Sequence, residues 1–176
     1  MNLTAVERAK NIKLVIFDVD GVLTDGSLWF SDTGESVKPF FVHDGLGFRL
    51  LQRAEIEIGV ITARNSKAVE QRLTALNVKH YYFGRENKRP AYEELRDKLH
   101  LTDAQVAYLG DDLPDVPLIR QVGLGATVPN ASSFVKEHAV WESTRQGGRG
   151  AVREFCEFIL SAQDKLHLLH NAYLEL

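Results

Sequence analysis

Cysteine is almost missing from this chain: there is one, Cys156, in 176 residues. A lone thiol excludes an internal disulfide and a cysteine-based zinc site. Cys156 also falls in helical register with Val152, Phe155, Ile159 and Leu160, which reads as a packed core thiol rather than a nucleophile. Long apolar runs are lacking too, and none approaches the ~20 residues that span a bilayer. Residues 1–13 are mixed and polar, without the pattern of a cleavable signal, so a cytoplasmic protein is expected. No excess of one charge is present. A net charge of −3 supports neither a nucleic-acid partner nor an anionic membrane surface. There is no linker, internal repeat or low-complexity stretch, so 1–176 reads as one domain, long enough to bury a sound core.

What is present begins with Leu14-Val-Ile-Phe17, a short apolar run of the kind that forms a buried parallel strand. It ends in Asp18, Asp20 and Gly21. Side chains two apart in an extended chain share a side, so the two carboxylates converge. Close anions repel and raise one another's pKa unless a cation lies between them. Ahead of this strand, residues 4–10 suit a short helix capped by Thr4, with Glu7 completing a capping box. After it, Ser27-Leu-Trp-Phe30 and Val37-Lys-Pro-Phe-Phe-Val42 flank a polar turn at residues 31–35 and suggest a β-hairpin. Pro39 favours an edge or irregular arm. This hairpin is either a lid over the strand end or a surface excursion packing its own aromatics.

Strict alternation follows. Helices are expected at residues 46–55, 66–76, 90–99, 115–121, 132–138 and 150–169. Strands are expected at 58–61, 80–83, 106–109, 125–128 and 139–141. Repeated βα units with short connections give an α/β fold, a doubly wound, Rossmann-like parallel sheet with helices on both faces. Residues 147–150, Gly-Gly-Arg-Gly, read as a loop rather than a phosphate cradle, because no strand leads into them.

Three more polar sites follow strands: Thr62 in Ile61-Thr-Ala-Arg64, Lys88 before Pro90, and Gly110-Asp-Asp-Leu-Pro-Asp115. Singly, a threonine there is usually a cap and a lysine a surface charge. Several acids at one strand end again call for a cation. Carboxylate oxygens of this kind suit a hard cation.

In this order the four sites resemble the motifs of the haloacid dehalogenase superfamily, most of whose members are magnesium-dependent phosphatases. The resemblance implies Mg2+ held by Asp18, the Asp20 backbone carbonyl and Asp111. It makes Asp18 the nucleophile that forms an aspartyl-phosphate and Asp20 the general acid and base. Thr62 donates to a phosphoryl oxygen and Lys88 sits beside the nucleophile. Asp115 orients Lys88 or the metal's waters, and Asp112 is either a neighbour of the metal site or plain surface. A receiver-type signalling module carries similar residues, but there the acidic pair precedes the phosphorylated aspartate and no residue matches Asp20. A catalytically idle interaction protein would leave buried carboxylates at a cost.

His43-Asp-Gly-Leu-Gly47, the hairpin and Gly147-Gly-Arg-Gly-Ala-Val-Arg-Glu154 sharpen the resemblance to the 3-deoxy-D-manno-octulosonate 8-phosphate phosphatases, which release a sugar acid for lipopolysaccharide synthesis. These form the branch without a cap domain, assembled through hairpins as homotetramers. The resemblance points to Arg64, Gly45 and Arg149 as substrate-binding residues. Ala63 departs mildly from the usual glycine, and Arg64 separates the chain from relatives acting on nonulosonate 9-phosphates, the alternative substrate class. Only about sixteen residues separate Gly26 from His43, too few for a cap, so a neighbouring subunit is expected to complete the site. The apolar chain end, with Leu166, Leu168, Leu169, Tyr173, Leu174 and Leu176, is expected to reach that neighbour's site or else to extend the last helix.

Overall fold

The computed structural model describes residues 4–32 and 34–175; Thr33 of the expected turn and Leu176 of the chain end lie outside them. Strand β1 (Leu14–Phe17) is buried along its whole length, as its unbroken apolar sequence requires. It pairs in parallel with β4 (Glu57–Ile61) on one side and β6 (Val106–Gly110) on the other. The six-stranded sheet is completed by β5 (His80–Tyr82), β7 (Leu124–Thr127) and β8 (Trp141–Glu142), in the order β5-β4-β1-β6-β7-β8. The chain winds outward from β1 in both directions, so the order reverses between β1 and β6. In a doubly wound sheet the crevice beyond the carboxyl ends at that reversal is the ligand site.

Helices cover both faces. On one, α7 (Ala151–Ala162) packs against α1 (Ala5–Ala9) and α2 (Val42–Arg53). On the other, α4 (Arg89–Lys98) meets α5 (Val116–Gln121) and β4. Phe17 joins strand to helices, its ring 4.9 Å from Phe48 and 6.4 Å, edge-on, from Phe155. Helix α3 (Lys67–Ala75) and the single turn α6 (Ser133–Lys136) complete the crossovers. The Thr4–Glu7 capping box forms as expected.

Three expectations need correcting. The hairpin is a separate two-stranded sheet of β2 (Trp29–Ser31) and β3 (Gly34–Val37), and its second arm stops at Val37 instead of running to Val42. Pro39, without an N–H, cannot continue the ladder, and Val42 becomes the first residue of α2, four residues earlier than expected. The closing helix is not continuous. It breaks at Asp164, whose φ is +57°, and resumes as α8 (Leu166–Asn171). The break is held by the Gln163 side chain, which donates to the carbonyls of Ala9 and Ile12 at 3.0 and 2.8 Å. The last strand is Trp141–Glu142, displaced from 139–141 because Val140 N–H donates to Gly125 O before Trp141 pairs with Ala126. Among the described residues no helix is long and apolar enough to cross a membrane.

Candidate active site

Asp18 leaves β1 with its N–H still bonded to Leu109 O at 3.0 Å, so its position is set by the central ladder. Asp111 follows β6, the neighbouring strand. Carboxylate oxygens of Asp18, Asp111 and Asp115 all lie within 4.8 Å of one another. The approach is close enough that a β-carbon on Gly21, whose φ is +88°, would fall 2.0 Å from Asp111 Oδ2. Glycine is therefore required there on two counts, φ and space.

Lys88 enters from the start of α4. Its ammonium is 2.7 Å from Asp18 Oδ1 and 2.6 Å from Asp115 Oδ1, and it donates to Tyr108 OH at 3.2 Å. Tyr108 OH in turn donates to Asp115 Oδ1 at 2.5 Å. Asp115 Oδ2 accepts the N–H groups of Asp111 and Asp112 at 2.9 and 3.1 Å. Both oxygens of Asp115 are thus committed to orienting Lys88 and shaping the turn after β6. Asp112 is exposed and accepts from Leu113 N–H at 2.8 Å, capping that turn.

One ammonium cannot balance three clustered carboxylates. Burial, then the charge of Asp115, pushes Asp18 up to about 7 against the pull of Lys88. Burial, then Asp18 and Asp115, pushes Asp111 up to about 8. Burial disfavours the Lys88 ammonium, but Asp18 and Asp115 outweigh it and its pKa rises. Asp111 Oδ1 is buried and has no hydrogen-bond partner. An orphaned carboxylate oxygen beside a second carboxylate is a hard-donor site that fits a small divalent cation such as Mg2+.

Thr62, buried at the end of β4, accepts from Arg64 N–H at 3.3 Å, which uses a lone pair and not its hydroxyl hydrogen. Asp20 meets two cations: Lys38 on Oδ1, and Arg64, whose Nε is 3.8 Å from Oδ2. The structure therefore brings together Asp18, Lys88, Asp111 and Asp115; the Asp20 carboxylate, expected to converge with Asp18, instead meets Lys38 and Arg64, because the chain turns after Asp18 and is no longer extended. Arg149 lies largely exposed, 3.6 Å from Asp25 Oδ2 on the loop that follows β1. Gly45 is inside α2, and a β-carbon there would meet Arg72 Nη2 at 2.5 Å and Leu76 at 3.0 Å, so its immediate neighbours belong to the α3 side. Sequence reasoning missed Lys38 and Tyr108. Tyr108 carried a signal, since it lies two residues from Gly110 in the strand that delivers Asp111; Lys38 carried none. A cavity of about 1030 Å3 is lined by Lys13, Glu57 and Gln105 at the opposite end of the sheet, away from this cluster.

The haloacid dehalogenase-like hydrolase family matches residues 84–153. A 3-deoxy-D-manno-octulosonate 8-phosphate phosphatase from Yersinia pestis is 45% identical over 161 residues, 92% of this chain and 86% of that protein. The Moraxella catarrhalis 3-deoxy-D-manno-octulosonate 8-phosphate phosphatase, solved with magnesium, phosphate and KDO, superposes with a TM-score of 0.94 at 38% identity, covering 96% of this chain and 97% of that one. The cobalt-bound Haemophilus influenzae phosphatase gives 0.88 at 39% identity, over 90% and 93%. With likeness along nearly the whole chain and the acidic cluster at the reversal of its sheet, the chain belongs to the 3-deoxy-D-manno-octulosonate 8-phosphate phosphatase family of the haloacid dehalogenase superfamily.

Proposed function

We propose that this chain is a Mg2+-dependent phosphatase that hydrolyses 3-deoxy-D-manno-octulosonate 8-phosphate to the free sugar acid and phosphate. The observation that carries the chemistry is Asp18, buried against a single ammonium 2.7 Å away, with the orphaned Asp111 oxygen in the same cluster. Asp18, the Asp20 backbone carbonyl and Asp111 would hold Mg2+. When bound, the cation neutralises phosphate charge and lets two anions approach.

An oxygen of Asp18 attacks phosphorus and forms an aspartyl-phosphate as the bond to the sugar oxygen breaks. That oxygen takes its proton from Asp20. Water then gives a proton to Asp20 and attacks the phosphorus, releasing phosphate and the Asp18 carboxylate. Lys88, fixed by Asp115 and Tyr108, supplies positive charge beside the nucleophile, and the Thr62 hydroxyl donates to a phosphoryl oxygen. Asp20 is held between Lys38 on one oxygen and Arg64 near the other. Arg64, half-exposed and 3.8 Å distant, is the partner an anionic sugar end can recruit.

The same reading makes residues 1–176 a single catalytic domain working in the cytoplasm as a homotetramer. The exposed β2–β3 hairpin, with Trp29 and Phe30 60% and 66% exposed, is the surface that supports assembly. Gly45 and Arg149 are proposed substrate contacts on the strength of the family resemblance. The test is phosphate release with Mg2+ from octulosonate 8-phosphate, a nonulosonate 9-phosphate and p-nitrophenyl phosphate. A kcat/KM at least about tenfold higher for the octulosonate is expected. Preference for the nonulosonate would change the substrate, and no turnover on any of the three would remove the phosphatase reading.

A further inference from the structure

Gly147 and Gly148, in the glycine-rich loop at residues 147–150, take no part in the chemistry above, yet they are tied to the loop that carries Asp20. Gly147 N–H donates to Asn130 Oδ1 at 2.8 Å, and Asn130 Nδ2 donates to Gly21 O at 2.9 Å. Gly148 N–H donates to Val22 O at 2.8 Å. The contact leaves no room for side chains: a β-carbon on Gly147 would fall 1.7 Å from Gly21 O, and one on Gly148 2.4 Å from Asp25 N. The glycine loop is itself anchored at both ends. Glu154 accepts from Thr144 N–H and Oγ1 at 2.9 and 2.7 Å, and from Ser143. Asp44 Oδ1 accepts Arg153 N–H at 2.9 Å, joining the first turn of α7 to α2.

Gly21 is thus gripped on two sides, by the Asp111 carboxylate against its α-carbon and by Asn130 on its carbonyl. The Gly21–Val22 peptide, held by Asn130, is joined to the Asp20–Gly21 peptide through φ and ψ of Gly21 alone, and the Asp111 carboxylate packed against Gly21 narrows that freedom, so restraint on one limits the other. We propose that Asn130, with the backbone of Gly147 and Gly148, is a positioning clamp that sets the Asp20–Gly21 peptide and so the geometry of the divalent-cation site. This rests on the reading that the Asp20 carbonyl is a metal ligand. Outer groups that orient metal ligands typically contribute 10–100-fold in affinity.

The test is direct binding of Mn2+ to the full chain, followed by electron paramagnetic resonance and by Mg2+ competition, with the metal-free thermal midpoint measured alongside. Asn130→Ala removes both side-chain hydrogen bonds. Asn130→Asp is isosteric, keeps the acceptor for Gly147 N–H and loses the donor to Gly21 O, so it carries the test if the alanine variant does not fold. Both are expected to bind Mn2+ about 10–100-fold more weakly. Asp111→Asn is the control for the metal site. If it loses Mn2+ while the Asn130 variants bind as wild type, whatever their midpoints, the clamp is overturned and the site reading stands. If Asp111→Asn binds Mn2+ normally, the site reading fails and the clamp with it.

Discussion

Lys88 is the only cation in direct contact with Asp18 among the described ion pairs, and it is shared with Asp115. Replacing Asp18 by asparagine removes the attacking oxygen's charge while keeping its shape. Asp18→Asn is expected to fold, to keep Mg2+-dependent substrate binding, and to turn over at under about 1% of the wild-type rate, checked by phosphate release. The raised carboxyls also fix the sign of a pH effect. Asp18 and Asp111 ionise near 4 in the unfolded chain but near 7 and 8 when folded, so metal-free stability falls as pH rises through that interval. A divalent cation favours the ionised forms. The Mg2+-induced rise in thermal midpoint should therefore grow between pH 5 and 8; an equal rise across the range would place the cation elsewhere. Arg64, reaching Asp20 from a half-exposed position, belongs to the sugar end of the site. Arg64→Ala is expected to lower kcat/KM at least about tenfold on the sugar-acid phosphate and far less on p-nitrophenyl phosphate. Periodicity places Asp18, Thr62, Lys88 and Asp111 after strands, but it was the resemblance of their order to the superfamily motifs that singled them out as a site. Lys38 and Asn130 were not legible, because a buried lysine and a bridging amide acquire their meaning only from groups far away in the chain.

At the scale of elements, the strands were read within a residue or two, since parallel strands buried on both faces are continuous apolar runs. The hairpin and the closing helix were misjudged at their edges. Pro39 was weighed as a mark of an irregular arm, but it acts as a terminator, and the apolar pair Phe40 and Phe41 then leads into α2 rather than into a strand. The break at Asp164 depends on Gln163 finding two carbonyls near α1, a tertiary contact without a local signature. The hairpin's course has a chemical consequence, because the residue directly after β3 is Lys38, and it reaches Asp20 from a buried position. A two-stranded sheet of three and four residues is marginal alone, so the hairpin's order and the setting of Asp20 are linked. Lys38→Met should slow sugar-phosphate hydrolysis by tenfold or more, while p-nitrophenyl phosphate, whose leaving group departs without a proton, is affected much less. Equal losses on both esters would make Lys38 a structural residue.

On the scale of the whole molecule, the apolar surface is unevenly placed. It gathers on the hairpin and at the chain end. The tail turns back on its own domain: Leu166 and Leu169 pack partly against the core, Lys165 donates to Ala54 O at 3.1 Å, and Arg53 lies 4.9 Å over the Tyr173 ring. Leu168 and Leu174 remain 62% and 85% exposed. Each leucine fully covered would contribute about 1.5–3 kcal/mol, a gain available to a neighbouring subunit and unavailable to this one. If hairpins hold the assembly and tails cover adjacent sites, the two surfaces separate experimentally. Deleting residues 166–176 while keeping Lys165 is expected to leave a tetramer by light scattering, with slower turnover or product release on the sugar-acid phosphate. Trp29→Ala with Phe30→Ala is expected to lower the assembly state instead. Unchanged kinetics in the truncated tetramer would confine the tail to its own domain. Monomers from the truncation, with an intact assembly in the hairpin variant, would exchange the roles of the two surfaces, because the larger loss of buried area must fall on the contact that holds the subunits together.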